Sequence, residues 1–140
     1  MGKELVRYFL DACERFPGHQ VYYLLTSKGW RTYKIMPFYF KDFAPHPGRP
    51  NTSFDQMVID VFGRTKYPDH YDPATGLVTF SSQRVRPDGV DAAPKHADRY
   101  ADYFLKRNPH YLDGHELVCI GRIATDNFTG YARRLAGLEG

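Results

Sequence analysis

The stretch Gln20–Phe40, QVYYLLTSKGWRTYKIMPFYF, decides the fold. Its halves, Gln20–Thr26 and Arg31–Phe40, are dense in aromatic and β-branched residues and flank a short SKGW turn, which predicts a β-hairpin. Both faces of the first half are apolar, so it is expected inside a sheet. Pro37 has no N–H for the ladder, which places the far end of the second half at an edge or bulge.

Outward from this hairpin, Lys3–Phe16 reads as an amphipathic helix. Leu5, Tyr8, Phe9, Ala12, Cys13 and Phe16 recur at helical spacing, Lys3, Arg7, Asp11 and Arg15 ride the other side, and Pro17-Gly18 ends it. Phe9 and Phe16 are expected in the core. Downstream, Ala44–Asn51 is proline-rich and extended. Ser53-Phe-Asp-Gln56 suggests a capping box opening a helix through Phe62, closed by Gly63, although Val58, Ile59 and Val61 also suit a strand. Residues 64–76 read as a long polar loop and Gly76–Val85 as a third strand. A helix over Ala93–Asn108, a strand over His115–Ala124 and a helix over Thr125–Leu135, capped by Thr125 or Asp126, complete the chain. This order predicts a single α+β domain over residues 1–140, with one mostly antiparallel sheet of about four strands and helices packed mainly on one face.

With 140 residues, 42% of them apolar and 25% charged, the chain can bury a core unaided. Eleven Tyr and ten Phe raise the aromatic share to 16%, which favours a contact surface. The aromatic hairpin is therefore the expected place for self-association. The net charge of +3 is spread among nearly as many acids as bases, so nothing marks a basic face, and nucleic acid is not excluded. Two isolated cysteines fit buried thiols in a reducing compartment. The start lacks a signal-peptide pattern and no run is long enough to cross a membrane, so a cytoplasmic protein without a membrane partner is expected.

Two stretches could carry chemistry. Asn108–Leu117, NPHYLDGHEL, holds His110, Asp113, His115 and Glu116, but its five-residue histidine gap follows no common ligand spacing, and Asp113-Gly114 is turn chemistry. No metal is expected there. Tyr67–Gly76, YPDHYDPATG, is long for a connection and leads into a strand ending in Arg84 and Arg86. Arginine forks beside aromatic rings suit phosphate contact and ring stacking. The expected ligand-binding residues are Arg84, Arg86, Tyr67, His70 and Tyr71, holding a small phosphate-bearing, nucleotide-like anion. No elbow around a nucleophile and no phosphate-cradling glycine loop marks an enzyme, and no cofactor is named by the sequence.

The enzyme alternative has two forms. His70, His110 and His115 could serve acid–base or metal-assisted hydrolysis, provided their loops share one end of the sheet. In addition, Val85–Val90 (VRPDGV), a helix, and Leu117–Asn127 (LVCIGRIATDN) running into a helix resemble the element order of the GCN5-related acetyltransferases. That family's (Q/R)xxGx(G/A) turn, which offers amides to the pyrophosphate of acetyl-CoA, is matched at Arg86 and Gly89 and departs at Asp91. The resemblance implies acyl transfer with the Gly89 turn as phosphate site.

Overall fold

The computed structural model describes residues 2–79, 94 and 96–138. Four strands form one antiparallel sheet: β1 (Tyr22–Ser27), β2 (Tyr71–Asp72), β3 (Leu77–Val78) and β4 (Glu116–Arg122), in the spatial order β1-β4-β3-β2. The fold is α+β, as the order of elements predicts. β4 is the hub. It pairs with the whole of β1, Tyr22 opposite Arg122 through Ser27 opposite Leu117, and with β3 at Leu77–Leu117 and Val78–Glu116. Every residue of β4 from Glu116 to Gly121 is buried.

Side chains alternate across this hub strand. Leu117 and Cys119 enter the larger core, which takes in α1 (Gly2–Arg15), α2 (Trp30–Tyr33), α3 (Ile35–Tyr39), α5 (Arg99–Arg107) and α6 (Gly130–Leu135). Val118 and Ile120 point the other way, onto Ile59 of α4 (Ser53–Lys66). Among the described residues helices thus lie mainly on one face, with α4 on the other.

The hairpin over Gln20–Phe40 does not form. Only its first half is a strand; residues 30–39 are the two short helices α2 and α3. Tyr33, Met36 and Phe40 are all fully buried, a three-then-four spacing that a helix turns to one side and a strand would split between two faces. Pro37 falls in the first turn of α3, where its missing N–H would have no partner inside the helix. The Tyr33 hydroxyl donates to the Pro45 carbonyl at 2.6 Å, tying this helical pair to the extended segment behind it. β1, expected inside the sheet, stands at its edge.

Helix α1 buries Phe9 as expected and also Val6, which the expected stripe left out, while Tyr8 of that stripe is 64% exposed and Phe16 lies past the helix end, 47% exposed. Helix α4 has its capping box one residue before the expected one. Thr52 caps it, accepting from the Asp55 backbone N–H while the Asp55 carboxylate accepts from that of Thr52. Gly63 does not end α4, which runs on to Lys66. Helix α5 begins at Arg99, where the Asp98 carboxylate accepts from the N–H groups of Tyr100 and Ala101. At the C-terminal end, Thr125–Asn127 is a 3-10 turn and Thr129, not Thr125 or Asp126, caps α6.

Candidate functional site

Helix α4 carries two apolar stripes where an ordinary surface helix carries one. Ile59 and Gly63, with Val58 and Phe62 beside them, pack on the sheet. Phe54, Met57 and Val61 recur at spacings of three and four on another side, and Val61 is 60% exposed. Because α4 sits mainly over β4 and β2, it meets β1 at Tyr22, whose ring stands 6.1 Å from that of Phe54, and leaves Leu24 of β1 38% exposed. Between them runs an open groove of about 910 Å³ lined chiefly by Phe16, Leu24, Met57, Val58, Val61 and Phe62, with His19, Gln20, Thr65 and Lys66 at its margins.

The charged end of this groove lies at Lys66. Its ammonium sits 5.8 Å from the ring centre of Phe62 and 5.9 Å from that of Tyr67, and the two rings meet edge to face at 6.3 Å. Glu116 lies nearby, its residue only 8% exposed and its Oε1 accepting from Thr26 Oγ1 at 3.3 Å. Burial pushes the Glu116 carboxyl above its usual range, against the opposing pull of Lys28 and Lys66. Among the residues that line the groove, Lys66 carries the one formal charge.

Of the residues expected to bind ligand, Tyr67, His70 and Tyr71 come together within one turn after α4. Neither tyrosine lines the groove: Tyr67 packs behind its wall, edge to face on Phe62. The Tyr71 hydroxyl donates to the Asp60 carboxylate at 2.5 Å, and burial followed by that bond pushes its pKa well up. His70 Nδ1 lies 3.0 Å from the Thr79 carbonyl oxygen, and Thr79 N–H donates to the His70 carbonyl at 2.9 Å. Arg84 and Arg86 lie outside the described residues, as do Gly89 and the rest of the acyl-transfer turn. The sheet shows no parallel pair among the described strands; β3 and β4 run antiparallel.

NPHYLDGHEL is a turn. Tyr111–Asp113 makes a 3-10 turn that Gly114 closes in the left-handed region at φ 89°, and the buried Asn108 amide donates to the His115 carbonyl at 2.8 Å, clasping its two ends. The rings of His110 and His115 stand 6.1 Å apart, with His110 Nδ1 4.0 Å from Asp113. Thr79, paired with His70, continues the register one step beyond the Val78–Glu116 pair, so His70 and His115 share one end of the sheet. They are nevertheless about two strand spacings apart, near 10 Å. Among the described residues no three His, Cys, Asp or Glu side chains gather closely enough to hold a metal ion.

The groove was not foreseen, because it needs β1 at the sheet edge. Its one signal in the sequence is that Phe54, Met57 and Val61 make a second periodic apolar set beside Ile59. Comparison of the chain with family models, with curated proteins and with solved structures returns no match.

Proposed function

We propose that this protein binds a small amphipathic anion, an apolar body carrying a phosphate or carboxylate, in the groove between α4 and β1. The observation that carries this reading is the second apolar stripe of α4, turned toward exposed Leu24 and ending at Lys66. The groove's volume lies in the range of small-molecule sites, roughly 300–1,000 Å³, and like them it is apolar with a few polar groups at the rim. The ammonium of Lys66, beside the Tyr67 and Phe62 rings, supplies the attraction for the head group. A nucleotide falls within the class, its base serving as apolar body, and Arg84 and Arg86 remain proposed contacts for its phosphates.

A thermal-melt comparison tests the reading, since a ligand that binds the folded chain raises the midpoint by mass action. The probes are decyl phosphate, decanoate, decanol, adenosine monophosphate and inorganic phosphate. Decyl phosphate and decanoate should raise the midpoint more than decanol. Val61→Lys should remove the rise, Lys66→Gln should reduce it for the anions alone, and Arg84→Ala with Arg86→Ala should reduce it for the phosphates. Absence of a rise with every amphipathic anion, or an equal rise with inorganic phosphate, would sink the proposal.

A further inference from the structure

We infer that two copies of this chain join through the free edge of β1, pairing antiparallel about Leu24 to make one sheet of eight strands. Ile120 spends both its backbone N–H and its carbonyl on Ala44, at 2.8 and 2.9 Å, on the side away from β1. Its partner across the ladder is Leu24. In an antiparallel pair such residues alternate with the bonded ones, so the N–H and carbonyl of Tyr22, Leu24 and Thr26 point away from β4. Nothing among the described residues meets them.

The two edges of the sheet differ. The β2 edge is two residues long, contains Asp72 and runs into Pro73, the devices by which edges avoid pairing. β1 is six residues long, and Gln20–Ser27 holds no charge and no proline. Its charge pattern suits a second copy. Antiparallel pairing about Leu24 sets Tyr22 opposite Thr26 and Lys28 opposite Gln20, so no like charges meet and each ammonium faces a carboxamide. The inference rests on the hydrogen bonding of the edge and stands apart from the ligand reading; the partner's β1 would wall the groove on its open side.

Sedimentation of the full chain from low to high micromolar concentration is the first measurement, with a concentration-dependent dimer expected. Leu24→Lys sets two ammonium groups against each other across the axis, and Thr26→Pro removes an outward donor while leaving every β1–β4 backbone bond in place, losing only the side-chain bond to Glu116. Each should weaken the dimer by roughly tenfold or more with far-ultraviolet circular dichroism unchanged. In a Cys13→Ser background treated with oxidised glutathione, Leu24→Cys should cross-link and Tyr23→Cys should not, because hydrogen-bonded partners hold their Cα atoms about 5.5 Å apart, within disulfide reach. A monomer throughout the range overturns the proposal. So does a dimer indifferent to both edge variants, or one that leaves L24C uncross-linked.

Discussion

The ring of Tyr71 lies against the Cα of Gly63, where a β carbon would collide with it, and from that position its hydroxyl reaches Asp60 one turn earlier on α4. This pair is why a glycine sits inside a helix and why Tyr71 faces inward. Alanine ordinarily favours a helix over glycine by about 1 kcal/mol. Gly63→Ala should nevertheless lower stability by about 1–3 kcal/mol in urea titration, the usual cost of overpacking. Tyr71→Phe keeps the ring but loses the bond to a carboxylate and should cost about 1.5–3 kcal/mol. A stabilised G63A would show that the ring moves aside freely.

Phe9 and Phe16 should respond in opposite ways. Phe9 is fully buried, with Tyr23 and Phe40 each 5.2 Å away between ring centres. Phe9→Ala should cost about 3–5 kcal/mol by the same titration. Phe16→Ala, at an exposed position, should fall within about 0.5 kcal/mol of the parent yet weaken decyl phosphate binding.

The response to pH divides by carboxyl. Burial pushes Asp55 up, but the Thr52 N–H and the Arg49 guanidinium outweigh it and hold its pKa below the usual 3.8. Asp98 follows the same pattern, burial being outweighed by Lys34 and by the N–H groups it caps. In both, the unfolded chain takes up its proton first as pH falls. The stability they contribute is whole above 3.8 and is lost as pH drops through the folded values. Glu116 has the opposite sign: raised above 4.5, it costs stability at neutral pH, and that cost fades as pH falls through its raised value. Urea midpoints should show Glu116→Gln more stable than the parent at pH 7 and level with it below about 4.5. Asp55→Asn should be less stable at pH 7 and converge with the parent in acid.

Within NPHYLDGHEL, the asparagine matters more than the histidines. Asn108→Ala frees the His115 carbonyl and should cost about 1–3 kcal/mol. His110→Ala with His115→Ala should change the urea midpoint little and leave ligand binding intact. Stoichiometric zinc in the parent, lost with binding in that double variant, would contradict this.

Long, one-sided patterns were legible in the sequence. The existence of α1 and α5 and the apolar run of β4 were legible because each buries one continuous surface, although the expected α1 stripe took in exposed Tyr8 and Phe16 and missed buried Val6, and α5 starts at Arg99 rather than Ala93. Residues 31–40 were misread because Tyr, Ile and Phe favour strands in isolation. The burial of Tyr33, Met36 and Phe40 on one side overrode that preference. Once this segment is helical, β1 has no hairpin partner and takes the edge, and the groove beside α4 opens as a consequence. No local pattern could announce a site whose walls are set by a strand order. Tyr67, His70 and Tyr71 were named together because aromatic and cationic residues cluster there in sequence, whereas the inward turn of Tyr71 was not legible because its partners, Asp60 and Gly63, precede it by eight residues or more.

The hub strand also gives the molecule a built-in clock. Burial pushes the Cys119 thiol up to about 12, so almost none of it is thiolate, and no reagent reaches it while β4 is sandwiched between two cores. Cys13, near the end of α1 and only partly covered, is reached when that helix frays. Alkylation of the two sulfurs therefore times two separate events in one tube: the loosening of a terminal helix, and the rarer moment when the whole chain comes apart.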